Sequence, residues 1–220
     1  MQIDLKVAQL LSSRLCHDLV GPIGAVNTGL ELMEENSGDD GGALNLMVRS
    51  ASEATRRLAF YRIAFGMGAG GGAGNSALIE ARTLADGFLE NTKVTLDWPN
   101  LTPEAIGPVP SGVVKVVLNM ILMATESLPR GGVVGLSFMQ LDEGLGVGLT
   151  ASGEGATLRE DLGRALAQDA GVVADVVTAR NVHAYLAQCL ACDLGGKIEH
   201  SVGLSGEVQL AVLFPNNAVC

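Results

Sequence analysis

Basic residues are scarce in this chain. Its 220 residues include 14 lysines and arginines against 24 aspartates and glutamates, which gives a formal net charge of −10. Nucleic acids and anionic membranes bind proteins through basic patches, so this acidic excess argues against both partners. The chain also lacks the run of about 18 apolar residues that a membrane-spanning helix requires, and its first residues lack the pattern of a secretory signal peptide. We therefore expect a cytoplasmic protein with no nucleic-acid or membrane partner.

Cysteine and histidine are too few and too scattered to indicate a metal site. Of four cysteines, Cys189 and Cys192 alone have a C-x-x-C spacing, and they lie in an apolar helical stretch without a second pair nearby. The sequence predicts buried small side chains there rather than metal or redox chemistry. His183 and His200 lie far from any ligand-like cluster, which predicts ordinary structural or surface roles for both.

Glycine is concentrated in one stretch, GMGAGGGAGN, which divides the chain. Such a stretch cannot bury enough apolar area to offset the entropy lost on ordering, and it predicts a linker over residues 66–76. Residues 1–65 contain two segments with helical apolar spacing, 3–36 and 43–65. They predict an antiparallel helical hairpin. Residues 77–220 mix helical segments with strand pairs.

The second region, residues 77–220, has the pattern of mixed helices and antiparallel strands. Four of its segments have helical spacing, and five have the alternation or β-branched content of strands. The helices are predicted near 77–90, 111–127, 158–168 and 179–194, and the strands over 93–98, 133–139, 145–151, 197–201 and 207–214. The predicted fold class is α+β, a helical hairpin followed by an α/β sandwich.

The first predicted helix has an apolar stripe that a hairpin alone cannot cover. With successive residues placed at about 100° intervals, eight apolar positions fall within a sector of roughly 80°. These positions are Leu5, Ala8, Leu15, Leu19, Ile23, Val26, Leu30 and Met33. A second copy of the chain would supply two more helices to cover the stripe. We therefore expect a homodimer that forms a four-helix bundle.

His17 lies about 170° from the centre of this stripe, on the predicted solvent face. An exposed neutral imidazole is a nucleophile, and one of its nitrogens is free when the other carries the proton. Asp18 either holds that proton or is a solvated carboxylate, and the sequence leaves both open. Gly21 and Gly24 cost about 1 kcal/mol each in a helix interior, and Pro22 about 3 kcal/mol. These three residues must therefore be present for a reason other than helix stability.

The segment CHDLVGPI, which contains His17, resembles the H box of sensor histidine kinases. It has the histidine, an acidic neighbour, a leucine, and a proline five residues after the histidine. In its context, LLSSRLCHDLVGPIGAVNTGLELMEE, it closely resembles the ChpT-type histidine phosphotransferases of alphaproteobacteria, and the resemblance covers nearly the whole chain. The resemblance implies a dimeric helical hairpin followed by a degenerate domain similar to the kinase ATPase fold but without nucleotide binding.

Three elements that bind nucleotide in histidine kinases are altered in this chain. The first asparagine of the metal-binding helix is matched by Asn119, but the second is matched by Met123, whose thioether suits Mg²⁺ poorly. The aspartate that reads adenine is matched by Ala151, and the two glycines of the phosphate-binding turn by Asn181 and His183. The resemblance therefore implies no bound cofactor or metal here, and Mg²⁺ is expected in the partner receiver domain.

The function implied by the resemblance is that of a phosphoryl carrier in a multistep phosphorelay. His17 would accept a phosphoryl group from a receiver-domain aspartate of a hybrid kinase and pass it to response-regulator receiver domains. Two alternatives stay open. In the first alternative, the chain is a divergent ATP-dependent histidine kinase. In the second, it is a non-catalytic dimeric adaptor that binds response regulators.

A receiver that reaches His17 must lie along the exposed face of the hairpin. The predicted contacts on that face are Leu10, Ser13, Arg14, Gly21, Gly24 and Thr28. Leu10 is predicted to be an exposed apolar anchor. The resemblance implies that the second region also contacts the receiver, and Arg159 is the candidate there. Gly21 has no side chain with which to orient a water, which suits a carrier better than a phosphatase.

Overall fold

The computed structural model describes residues 4–35, 41–66, 75–100, 109–168 and 175–216. The helices of this described part are α1 (Leu5–Glu35), α2 (Gly41–Ala64), α3 (Asn75–Leu89), α4 (Val113–Glu126), α5 (Glu160–Leu166) and α6 (Val182–Asp193). The strands are β1 (Val94–Asp97), β2 (Gly132–Gln140), β3 (Gly144–Ser152), β4 (Glu199–Val202) and β5 (Val208–Pro215). In the predicted linker, residues 67–74 lie outside the described residues. None of the helices described is long and apolar enough to cross a membrane.

Helices α1 and α2 pack antiparallel as the predicted hairpin. Gly29, near the end of α1, lies against Met47, near the start of α2, whereas Asp18 contacts Arg57, which is farther along α2. Helix α1 continues through Pro22, whose nitrogen cannot donate to the Asp18 carbonyl. Nη1 of Arg57 donates to that carbonyl instead, at 3.3 Å. The hydrogen-bond donor that the Asp18 carbonyl lacks because of Pro22 is therefore supplied by Arg57 of the other helix.

Much of the predicted apolar stripe on α1 is uncovered in a single chain. Leu5, Ile23, Leu30 and Met33 are all exposed, Leu5 by 72%. Helix α2 adds further exposed apolar side chains, which are Leu44, Leu46, Val48 and Leu58. Soluble proteins seldom leave so large an apolar surface open to water. The hairpin therefore presents a surface suited to contact with another protein chain.

The five strands form one sheet in the order β1-β2-β3-β5-β4. Strand β1 pairs with β2 in parallel, and the other neighbouring pairs are antiparallel. Helix α4 packs against β2, β3 and β5 on one side and against α2, α3 and α6 on others, which explains why most of its residues are buried. This layer of helices on a mixed, mostly antiparallel sheet confirms the α+β fold class.

The hairpin and the second region share one hydrophobic core. Val7 and Leu11 of α1 are buried in the same cluster as the side chains of α4 and α6. Phe60 of α2 stacks on Phe88 of α3, with ring centroids 4.3 Å apart. Neither Val7 nor Leu11 belongs to the predicted stripe, and both are buried in the core that the hairpin shares with the second region. This packing holds the second region beside the half of α1 that contains His17.

Two glycines of α1 should respond in opposite ways to replacement by alanine. A Cβ at Gly24 would have no atom within 4 Å, so Gly24→Ala should raise the free energy of unfolding by about 0.5–1 kcal/mol through helix propensity. A Cβ at Gly29 would lie 3.2 Å from the Ala43 carbonyl oxygen and would collide with Met47. Gly29→Ala should therefore lower that free energy by about 1–2 kcal/mol.

Urea denaturation of the two variants and the unchanged protein, followed by circular dichroism, measures both effects in one helix. Equal shifts for the two variants would mean that the close contact between α1 and α2 at Gly29 is wrong.

Candidate functional site

His17 stands on the exposed surface of α1, with 86% of its side chain accessible. Its Nδ1 lies 3.1 Å from Oδ1 of Asp18. A carboxylate can only accept a hydrogen bond, so this contact places the imidazole proton on Nδ1. The lone pair then resides on Nε2, which is the nitrogen left free to attack an electrophile.

Asp18 is itself held in place by the second helix of the hairpin. The hydroxyl of Tyr61 donates to Oδ2 of Asp18 at 2.7 Å, and Nε of Arg14 lies 3.4 Å from the same oxygen. Burial raises the pKa of Tyr61, and the negative charge of Asp18 raises it further, so the phenol remains a donor. Only 16% of the Asp18 side chain is exposed. Its geometry is that of an orienting group and not of a freely solvated carboxylate.

Arg14 is buried, and the prediction that it lies on the exposed docking face is wrong. Its relative accessibility is 7%. Nη1 donates to the Arg180 carbonyl at 3.0 Å and lies 2.8 Å from Nδ1 of His183, while Nη2 makes a close ion pair with Glu126. A helical wheel describes the faces of α1 alone, and the second region covers the part that includes Arg14.

Leu10 is the other residue of the predicted docking face that is not fully exposed. It is partly buried and packs against the hydrophobic core, so its prediction as an exposed anchor is wrong. The remaining members of the predicted face are all exposed, and they are Ser13, Gly21, Gly24 and Thr28. No atom lies within 4 Å of a Cβ built on either glycine. Packing within one chain therefore gives no reason for glycine there.

Arg159 lies beside His17 but is paired with acidic groups of its own region. Its Nε donates to Oδ1 of Asp161 at 2.9 Å, and its Nη1 to Oε2 of Glu126 at 3.1 Å. The bond from Arg159 lowers the pKa of Asp161. The Arg159 side chain is 37% exposed. Its charge is thus largely compensated within the chain, and its contact with a receiver stays a prediction.

A cavity of about 370 Å³ joins His17 to the second region. Its lining comes from both parts of the chain, and consists of Ser13, Arg14, His17, Asp18, Glu126, Arg159, Ala179 and Arg180. Arg180 is exposed. Among the described residues, no carboxylate lies within ion-pair distance of its side chain. Among the residues that the structure describes, Arg180 is therefore the cation of the cavity lining that has no ion-pair partner.

His183 is part of this site, although the sequence placed it far from any functional cluster. It is fully buried, and because Arg14 must be the donor, Nδ1 of His183 is the acceptor and Nε2 carries the proton. That Nε2 lies 3.6 Å from Oε2 of Glu126. Burial lowers the pKa of His183 well below its usual value, and the charges of Arg14 and Arg159 act in the same direction. The ring is therefore neutral.

Glu126 lies at the end of α4 and forms ion pairs with both Arg14 and Arg159. Burial raises the pKa of this carboxyl, and Arg14 and Arg159 oppose that shift. A guanidinium does not lose its proton in proteins, so the carboxylate is the form that satisfies two such groups. Neither Glu126 nor Tyr61 could be assigned to the site from the sequence, because both reach it through tertiary packing.

The positions that match the nucleotide-binding elements are filled by side chains. Met123, Ala151, Asn181 and His183 are all buried, and the Asn181 amide donates to the carbonyls of Asp161 and Val176. These groups lie inside the protein instead of lining an open pocket. Among the described residues there is no cluster of three or more histidine, cysteine or acidic side chains arranged to bind a metal.

Comparison with known proteins identifies relatives over most of the chain. Residues 78–204 match the family model described as histidine phosphotransferase C-terminal domain. The protein phosphotransferase ChpT of Brucella abortus (strain 2308) is 41% identical over 129 residues. That match covers 58% of this chain and 58% of the Brucella protein, so it spans less than two thirds of the length of that curated relative.

Solved structures extend the similarity to the hairpin. One described as a bacterial phosphotransferase is 30% identical, with a TM-score of 0.78 over 96% of this chain and 98% of its own. The histidine kinase AdeS of Acinetobacter baumannii is 13% identical, with a TM-score of 0.49 over 91% of this chain and 98% of its own. The family model covers more than half of the chain and the bacterial phosphotransferase nearly all of it, and the chain therefore belongs to the histidine phosphotransferase family.

Proposed function

We propose that this chain is a histidine phosphotransfer protein of a multistep phosphorelay. His17 accepts a phosphoryl group from a receiver-domain aspartate of a hybrid kinase and passes it to receiver domains of response regulators. The observation that carries the proposal is the exposed imidazole whose Nδ1 is held by the sequestered carboxylate of Asp18. The name of the Brucella relative, a protein phosphotransferase, supports the same class of reaction.

The transfer step needs little from this chain. Nε2 of His17 attacks the phosphorus of the aspartyl phosphate, the N–P bond forms, and the bond from phosphorus to the acyl oxygen breaks to release the receiver carboxylate. The ring gains positive charge as Nε2 takes the phosphoryl group. Asp18 stabilises that charge through Nδ1 without taking the proton. The reverse sequence delivers the group to a second receiver, and the receiver supplies Mg²⁺.

The protein acts as a homodimer in this proposal. The exposed apolar side chains of α1 and α2 need a cover, and a second hairpin would complete a four-helix bundle around them. An apolar groove of about 740 Å³ continues this surface between the two helices, lined by residues that include Leu11, Leu15, Leu58 and Phe65. With its acidic charge and receiver partners, the dimer would work in the cytoplasm.

Receiver docking in this proposal uses the exposed hairpin face and the cavity beside it. Ser13, Gly21, Gly24 and Thr28 leave the surface around the imidazole low enough for a partner's backbone to approach. Arg180 supplies the positive charge that Arg159 cannot, since Arg159 is compensated by Asp161 and Glu126. The phosphorylation site of a receiver is acidic, so a cation beside His17 that has no ion-pair partner among the described residues complements it.

The first test of this function is His17→Gln. With a phosphorylated receiver as donor, the unchanged protein should become labelled and His17→Gln should not, because glutamine offers no nucleophilic nitrogen. The variant should fold and dimerise normally, since the side chain is exposed. His200→Gln, at an exposed histidine outside the cavity, is the matched control and should accept label at the normal rate. Normal labelling of His17→Gln would refute the proposal.

The second test separates a carrier from an ATP-dependent kinase. The buried side chains of Met123, Ala151 and His183 occupy the positions of the nucleotide-binding elements. Titration calorimetry with Mg²⁺ and ATP should therefore give no measurable heat of binding, and radiolabelled ATP should not label His17. Micromolar binding or self-labelling would favour the kinase alternative.

The third test concerns docking, with a steric and an electrostatic variant. Gly21→Trp should abolish transfer from the phosphorylated receiver by excluding it. Gly42→Trp is the matched control, because Gly42 also has no atom within 4 Å of a built Cβ and lies at the far end of the hairpin. Arg180→Glu should slow association by about tenfold at low ionic strength and less at high ionic strength.

Arg49→Glu makes the same charge change at an exposed position outside the cavity and should have a smaller effect. Transfer rates at two salt concentrations, with circular dichroism to confirm folding, decide both comparisons. Normal transfer by folded Gly21→Trp would exclude the proposed docking face, and equal effects at Arg49 and Arg180 would exclude the specific role of Arg180.

A further inference from the structure

One side chain of the hairpin, Arg14, is enclosed by the second region. Its guanidinium contacts the His183 ring, the Arg180 carbonyl and the Glu126 carboxylate, all of which lie in the second region. On its own helix it faces Asp18, one turn later, through Nε at 3.4 Å. The same guanidinium therefore contacts both the second region and the carboxylate that holds His17.

The composition of this cluster is unusual for a structural contact. A buried charge network is often no more stabilising than apolar residues of similar volume, and it is strongly destabilised when one member is removed. Three groups of the second region contact the Arg14 guanidinium, and they are the Arg180 carbonyl, the His183 ring and the Glu126 carboxylate. Hydrogen bonds and ion pairs join His183 and Glu126 to Arg14, and Nε of Arg14, which has no hydrogen-bond partner, faces Asp18 at 3.4 Å. Asp18 in turn contacts Nδ1 of His17.

We infer that Glu126 and His183 are positioning residues of the phosphotransfer site, which act on His17 through Arg14 and Asp18. The inference rests on the proposed function and assigns the second region a part in the transfer step itself, beyond contact with a receiver. His183, which matches a glycine of the phosphate-binding turn in kinases, holds an arginine of the hairpin here.

The balance of charges around Asp18 explains how such positioning works. Oδ1 of Asp18 accepts the proton of His17 Nδ1, while Oδ2 accepts from Tyr61 and faces Arg14. Glu126 and His183 draw the guanidinium away from Asp18. If either is lost, Arg14 pairs more fully with Asp18, and the carboxylate turns away from His17. The imidazole then loses the tautomer that leaves Nε2 free.

A small phosphoryl donor tests this inference without any docking surface. Phosphoramidate can phosphorylate an accessible imidazole: Nε2 of His17 attacks the phosphorus, the P–N bond of the donor breaks, and ammonia leaves. Glu126→Gln keeps the shape of the side chain and removes its charge, and His183→Leu has a similar volume and removes the acceptor for Arg14. Each should lower the rate at His17 by about tenfold. His17→Gln gives the background from other histidines, and circular dichroism confirms folding.

Nitrogen chemical shifts of His17 supply a measurement that a merely structural role would not move. In the unchanged protein they should report a proton on Nδ1, and in Glu126→Gln a mixture of the two tautomers. Glu126→Asp, which retains the charge, should recover most of the phosphoramidate rate. Glu154→Gln is the matched control, because it removes an exposed ion pair with Arg130 outside the cavity, and it should have no effect.

The failure of this inference differs from the failure of the proposed function. If neither phosphoramidate nor a phosphorylated receiver labels His17 in the unchanged protein, the proposed function is wrong. If the unchanged protein is labelled but Glu126→Gln and His183→Leu react at the same rate as the unchanged protein and His17 keeps the same tautomer, the inference alone is overturned. A change confined to the receiver concentration needed for half-maximal transfer would assign both residues to docking and would also overturn it.

Discussion

The placement of the second region against the hairpin depends on the burial of Arg14. A guanidinium cannot lose its charge when it is buried, so it must be met by acceptors, and these come from α4, the turn before α6 and α6 itself. The apolar contacts of Val7 and Leu11 hold the same surfaces together, but they are non-directional. The polar contacts fix the orientation, and with it the wall of the cavity beside His17.

The face of helix α1 around His17 contains residues that lower the stability of the helix. Gly21, Pro22 and Gly24 are residues that weaken helices, and neither glycine is needed for a contact within the chain. The lost bond at Pro22 is replaced by Arg57, which holds the backbone of Asp18. The sequence of this face therefore favours access to His17 over stability, and α2 restores order where the imidazole must be oriented.

The sequence predicts the fold class well and singles out His17 as the candidate chemical centre, because both inferences depend on local patterns. Apolar spacing locates each helix, and the segment around His17 has a motif within eight residues. The prediction from the sequence fails at Arg14 and Leu10, since a helical wheel contains no information on what packs against the helix. Tyr61, Glu126 and His183 are missed for a related reason. They reach the site from positions separated from their partners by 43, 112 and 169 residues, and only the folded chain shows those contacts.

A domain in which buried side chains fill the positions that match the nucleotide-binding elements can still determine the chemistry next to it. Buried methionine, alanine and histidine at those positions let the second region pack as a solid core, and a solid core holds its surface groups in fixed geometry better than an open pocket does. That rigidity is what an exposed phosphoryl carrier lacks on a single helix. In this chain the orientation of His17 is therefore determined by the interface between the hairpin and the second region, and by neither part alone.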